Sequence, residues 1–267
     1  MALIRKILKK TNENSQYPFS TPIIRNLTEL DLNHNLIIFI GENGSGKSTL
    51  LELIALKLSL QRISMDLTYS DPEFKDLKKA INSFNIDYLV KPKGFFFRSE
   101  DFISYIRFLN EAKTEAESEL KRINHEYQNK SGFSKALASM PHKRTISDIE
   151  NMYQRSLYKQ SHGESYLDFF KSRLRTNSLY LLDEAEVPLS FQNQLTLMVL
   201  IKEAVADGCQ FIISTHSPVL MSIPDSCIYD FNHEVLERVN YEDIDSVNQL
   251  RHFLNDKEQY LRYLFDE

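Results

Sequence analysis

Short, unbroken apolar runs alternate along this chain with stretches of helical period. Leu36-Ile37-Ile38-Phe39-Ile40 is wholly apolar and stops at Gly41, the pattern of a strand buried on both faces. From Lys47 the period changes: Leu50, Leu51, Ile54, Ala55 and Leu58 fall on one face of a helix. Gly94 to Arg98 predicts another strand. Ser178-Leu179-Tyr180-Leu181-Leu182 predicts a third buried one, closing on Asp183-Glu184. A helix follows from about Ser190 to Asp207, with Gly208 as its carboxyl-terminal cap. Gln210 to Ser214 forms a fourth strand ending at Thr215-His216, and Cys227 to Phe231 a fifth. Strands alternating with helices imply a mostly parallel sheet covered on both faces.

The remaining stretches read less regularly. Met1 to Lys10 alternates apolar and basic side chains, as a first strand does. Residues 61 to 93 carry no clear pattern. Phe102, Ile106, Leu109, Ala116, Leu120, Ile123 and Tyr127 recur at steps of three and four, over fewer than four heptads. That length suits a helical hairpin or lid better than a long coiled coil. Residues 128 to 145 are polar, contain Gly132 and Pro141, and read as a loop. The last thirty residues read as one or two amphipathic helices.

Composition narrows the class. The chain has 267 residues, 42% hydrophobic and 26% charged, the balance of a globular protein. No run approaches the roughly 20 apolar residues of a membrane span, so no membrane partner is expected. The first residues lack a secretory pattern, and the cytoplasm is the expected location. A net charge of −5 argues against DNA binding over the whole surface. Two local basic clusters stand out: Lys91, Lys93 and Arg98, and Lys171, Arg173 and Arg175. Each reads first as a solvated face. Cys209 and Cys227 have no partners at metal spacing and read as buried thiols.

Three of the seven glycines lie in Gly41-Glu42-Asn43-Gly44-Ser45-Gly46-Lys47-Ser48-Thr49. This matches G-x-x-x-x-G-K-[ST], between a strand and a helix, as a phosphate-binding loop requires. The glycines let backbone N–H groups turn toward phosphate oxygens. Lys47 supplies a point charge and Ser48 a hydroxyl for Mg²⁺. Glu42, Asn43, Gly44, Ser45, Gly46 and Thr49 complete the expected cradle. Asp183 and Glu184 stand at a strand end, where ligands of parallel sheets bind. Asp183 is expected in the Mg²⁺ shell, and Glu184 as the base that orients and deprotonates water. His216, at the end of another strand, is expected to touch the γ-phosphate and the water.

The phosphate loop, Ser161-His162-Gly163-Glu164, Leu179 to Glu184, and Thr215-His216 occur in the order seen in ABC-type ATPases. The chain resembles their RecF, SMC and OLD-like branch, and small standalone bacterial ATPases with a Ser-His-Gly-Glu-Ser signature. The resemblance spans nearly the whole chain. It implies an α/β P-loop NTPase fold: an ABC-ATPase-like, mostly parallel sheet flanked by helices, with an antiparallel N-terminal β portion and a short helical insertion. The whole chain, 1–267, is then one ATPase domain, with the insertion at about 101–160. The resemblance also implies that Ser161, Gly163 and Glu164 close the ATP site of a second subunit, so that a homodimer forms on ATP binding.

The chain departs from the family pattern in three places. His162 replaces the first signature glycine. Ser99-Glu100 stands where a glutamine is usual, which makes Glu100 a candidate metal or water ligand. Pro188-Leu189 leads to Ser190 where an aspartate is usual. Tyr17 and Phe19 are the candidates for stacking on adenine, with a core role equally open. The expected activity is ATP hydrolysis by a molecular switch in DNA repair or phage defence. A nuclease or other effector protein is the expected partner, with DNA reached through it. The alternative is a regulatory module that holds ATP to stay dimeric and hydrolyses little. A small-molecule kinase is disfavoured by Ser161 to Glu164 and His216.

Overall fold

A computed structural model describes residues 2–10, 16–63, 74–152 and 162–265. Two sheets organise them. The first is antiparallel, in the order β2-β1-β5, from β1 (Ile4–Lys9), β2 (Glu29–Asp31) and β5 (Phe84–Tyr88). The second has seven strands. It contains β3 (Leu36–Ile40), β4 (Gln61–Arg62), β6 (Gly94–Arg98), β7 (Leu179–Asp183), β8 (Gln210–Ser214), β9 (Cys227–Asp230) and β10 (Glu237–Val239). Their order is β10-β9-β3-β8-β7-β6-β4, and every pair is parallel except β10 with β9.

The core follows from period-two alternation along these strands. Ile37, Phe39, Phe96, Leu181 and Ile212 face one side of the large sheet and join a cluster with α2 (Lys47–Leu58) and the small sheet. Phe95, Phe97, Tyr180, Leu182, Phe211 and Ile213 face the other side. There they pack on α4 (Ser99–Glu126), α6 (His162–Arg173) and α7 (Phe191–Ala206). Helix α2 therefore lies between two sheets and is buried nearly all round, beyond the single apolar face its pattern suggests.

Polar side chains join the sheets: Tyr229 donates its hydroxyl to the Asp31 carbonyl at 2.7 Å, and Gln210 makes the larger set of bonds. Gln210 is fully buried. Its Oε1 accepts the N–H groups of Leu3 (2.9 Å) and Ile4 (2.8 Å), and its Nε2 donates to the carbonyls of Ile4, Leu32 and His34 at 2.7–3.0 Å.

Residues 132–152, expected as a loop in their first part, form α5 (Gly132–Met152), antiparallel to α4. Pro141 lies inside α5 at an exposed position, where water can satisfy the carbonyl that loses its N–H partner. The hairpin buries Ala116 and Ile123 of α4 and Ile149 of α5, and Lys113 Nζ meets Glu150 Oε1 at 2.8 Å. The patternless stretch before β6 holds β4, the short α3 (Lys75–Ala80) and β5. The hairpin is anchored to the sheet by a buried ion pair, Arg62 Nε to Asp101 Oδ2 at 2.7 Å, closed by Arg62 NH2 to Asp101 Oδ1 at 3.0 Å. Two short helices, α1 (Pro22–Asn26) and α8 (Pro218–Met221), flank strand ends. Helices α9 (Asp245–Asn255) and α10 (Lys257–Phe265) close the chain. No described helix is long and apolar enough to cross a membrane.

Candidate nucleotide site

The carboxyl ends of β3, β6, β7 and β8 lie side by side, with Arg98 opposite Asp183 and Asp183 opposite Ser214. Every candidate residue of the described strands is delivered to this edge. The loop after β3 turns on glycine geometry. Gly41 has φ +139°, and a Cβ there would stand 2.9 Å from Phe231 Cβ. Gly46, with φ +106°, is the amino-terminal cap of α2, and a Cβ there would meet Thr21 Cγ2 at 2.8 Å. Gly46 offers no side chain to the first N–H groups of α2, and no acidic residue sits in its first turn. The positive end of that helix is left to a ligand.

The polar groups of the loop fit a polyphosphate. Ser45 Oγ is buried without a partner among the described residues. Lys47 is buried, and its Nζ donates to the carbonyls of Gly41 (2.7 Å) and Glu42 (2.8 Å). Burial lowers the Lys47 pKa, while the carboxylates of Glu184, Asp183, Glu186 and Asp230 work against that drop. Glu42 N–H donates to Asn232 Oδ1 at 2.8 Å, which ties the loop to the segment after β9. Asn43 and Gly44 are exposed at the loop's tip.

Oxygen donors suited to a hard divalent cation meet beside Lys47. Ser48 Oγ donates to Asp183 Oδ1 at 3.0 Å. Asp183 is buried, and burial raises its pKa against the Ser48 hydrogen bond and the Arg98 charge. Arg98 Nε stands 3.6 Å from Asp183 Oδ2, and Arg98 also holds Glu52 (3.0 Å) and Glu100 (3.3 Å). The Glu100 side chain is 82% exposed and turned onto Arg98.

Glu184 follows in a left-handed conformation, φ +50°. Its N–H donates to the Ser214 carbonyl at 2.9 Å, and its carbonyl accepts Val187 N–H and the Ser99 hydroxyl. Its Oε1 lies 3.7 Å from His216 Nε2, and both side chains are about two-fifths exposed. A solvent molecule can therefore reach both.

The structure also assembles residues that the pattern did not single out. Glu186 is buried and places Oε1 on Thr215 Oγ1 (2.6 Å) and on the N–H groups of His216 (2.7 Å) and Ser217 (3.2 Å). Its signal was an acidic residue two positions beyond Glu184. Arg98 was read only as part of a basic cluster. Of the signature residues, Gly163 and Glu164 lie on the first turn of α6, and Ser161 lies outside the described residues. Tyr17 is 43% exposed, and its hydroxyl is 3.4 Å from Thr49 Oγ1. Phe19 is core, stacked on Phe84 with ring centroids 6.0 Å apart.

A strand, glycine loop and helix on a mostly parallel sheet, with an antiparallel sheet beside it and a helical hairpin between β6 and β7, define a P-loop nucleotide-binding domain. The chain belongs to the AAA domain family, whose model matches residues 18–197. It is similar to protein McbF of Escherichia coli, 26% identical over 199 residues, covering 73% of this chain and 70% of that one. Among solved structures it is similar to a nucleotide-free ATP-binding cassette from an ABC transporter, at 15% identity and TM-score 0.47, covering 94% of this chain and 96% of that one. It is also similar to an Smc head domain bound to the C-terminal domain of ScpA, from Pyrococcus furiosus, at 13% identity and TM-score 0.44, covering 97% and 100%.

Proposed function

We propose that this chain binds ATP with Mg²⁺ and hydrolyses it as a dimeric switch. The observation that carries the reading is the Ser48–Asp183 contact beside Lys47, with Glu184 next to Asp183 and His216 after the neighbouring strand β8. The loop from Glu42 to Thr49 would hold the phosphates, with Lys47 and the amino end of α2 supplying positive charge. Ser48 and Asp183 would hold Mg²⁺, which when bound screens phosphate charge. Glu184 would accept the proton of the attacking water, and His216 would orient that water. Tyr17, exposed beside Thr49, is the better placed of the two aromatics to lie against a base. Glu100 would serve as a reserve ligand, since Arg98 touches both it and Asp183.

In the same reading, Ser161, Gly163 and Glu164 complete the site of a second copy. The switch would then act with an effector protein, such as a nuclease, and reach DNA through it. Repair or phage defence is the setting this reading favours.

Mixing two inactive variants tests the shared site. Lys47→Ala breaks the phosphate loop, and Gly163→Asp puts a carboxylate at the signature. Each pure variant should show no phosphate release, and an equimolar mixture should recover part of it. A mixture shown to contain mixed dimers but inactive, with no ATP retained, would sink the two-chain site. ATP turnover by the Lys47→Ala chain at the normal rate would sink the nucleotide assignment itself.

A further inference from the structure

At the opposite end of the large sheet, two residues from each of the basic clusters of the sequence come together. Lys91 and Lys93 precede β6, Arg173 ends α6, and Arg175 lies between α6 and β7; all four line one groove at the amino ends of these strands. No Asp or Glu lines the groove, and none of the four cations pairs with a carboxylate among the described residues. A chain of net charge −5 has thus gathered four cations in one place, with no carboxylate on them among the described residues.

Three of the four are held in position. Lys91 Nζ donates to Ser59 Oγ at 3.2 Å. Arg175 NH1 donates to the carbonyls of Ser172 and Leu174 at 2.9 and 2.8 Å. Arg173 lies over the Phe169 ring, 5.3 Å from its centre. Guanidinium and ammonium groups fixed in this way lose little freedom on meeting an anion. The floor between them is apolar, from Ile63 and Phe95, and Val90 at the rim is 79% exposed.

We propose that this groove takes an acidic, partly apolar polypeptide segment of a partner protein. Carboxylates of the segment would meet the four cations, and its apolar side chains would cover Val90 and the floor. Nucleic acid fits less well. The apolar floor gives phosphates nothing, and the one tyrosine of the lining, Tyr180, has its hydroxyl engaged on both sides by Arg175 N–H and carbonyl. The two rings of the lining, Tyr180 and Phe95, are both buried and so offer no face for base stacking. Strands β6 and β7, five residues each and so roughly 16 Å long, separate the groove from Ser99 and Glu184. The segment and a nucleotide would not compete for space.

Selection of a displayed library of random short peptides on the full chain tests this. The enriched peptides should interleave Asp or Glu with apolar residues. A fluorescein-labelled member should bind the chain in anisotropy measurements, and Lys91→Glu with Lys93→Glu should weaken it at least about tenfold. Val90→Ser should weaken it by a smaller factor. Unlabelled single-stranded or duplex DNA should not displace it, and Lys47→Ala should leave its affinity unchanged. The melting temperature shows whether the double variant is folded; if it is not, Lys93→Gln alone decides, and should still weaken binding. Enriched peptides without acidic bias, equal binding by a folded charge variant, or displacement by DNA would overturn the proposal.

Discussion

The Oε1 of Glu186 accepts the backbone N–H of His216 at 2.7 Å, so a buried carboxylate after β7 sets the course of the chain after β8. The same oxygen serves Thr215 and Ser217, while Oε2 is buried without a partner among the described residues. A carboxylate with three donors on one oxygen acts as a clamp on the segment that carries His216.

Glu186→Ala should loosen that clamp and strand buried donors, at a cost of about 1–3 kcal/mol. ATP turnover should fall about tenfold or more, with nucleotide affinity little changed, because Lys47 and its loop are untouched. Glu186→Gln keeps an acceptor for the three donors and should retain most of the turnover. Equal loss in both variants, measured by phosphate release, would contradict the positioning role.

Asp183 is the next case, and its sign is opposite to that of most carboxylates. Burial raises its pKa, so the native state holds its proton more tightly than the unfolded chain does. Ionised Asp183 therefore costs stability at pH values above its native pKa, and the cost fades as the pH falls through that pKa and on to the unfolded value. Asp183→Asn should melt higher than the parent in nucleotide-free buffer near about pH 7, and the advantage should shrink toward about pH 4, near the ordinary carboxylate range. The same variant should lose the Mg²⁺ dependence of ATP binding. Melting curves at both pH values check the first part, and an Mg²⁺ titration the second.

The buried Arg62–Asp101 pair gives a third prediction. Arg62→Ala leaves a buried carboxylate unpaired, which typically costs about 3–5 kcal/mol and here would lower the melting temperature by on the order of 10 °C. Replacing both residues, as Arg62→Met with Asp101→Leu, should recover most of that loss. If Arg62→Ala melts like the parent, the pair does not anchor the hairpin.

Much of the fold was legible because its central strands are short apolar runs bounded by glycine or charge, as at Leu36 to Ile40 before Gly41 and Leu179 to Leu182 before Asp183. The phosphate loop was legible because its glycines and lysine have a fixed spacing. Helix α5 was not: Gly132 and Pro141 are strong local breakers, and the contacts that override them come from α4, across a hairpin that local pattern does not reveal. Strands β4 and β10 were missed because two or three residues carry no period. Glu186 was hidden for another reason. Its role depends on Thr215 to Ser217, about thirty residues away, which only the neighbouring positions of β7 and β8 bring to it. The basic groove joins clusters some eighty residues apart, each unremarkable alone.

Strand β3 leads into the phosphate loop, yet both of its neighbours, β8 and β9, come from the last quarter of the chain. Gln210, which ties Leu3 and Ile4 to the large sheet, belongs to that same late segment. On a ribosome adding about 5–20 residues per second, the roughly 170 residues between Ile40 and Gln210 take roughly ten to thirty seconds to make. Throughout that interval the nascent loop has no finished sheet beneath it. Competence for nucleotide would come late and all at once, when the strands that flank β3 arrive, and a shortened product ending before Gln210 should be blind to ATP however intact its glycine motif.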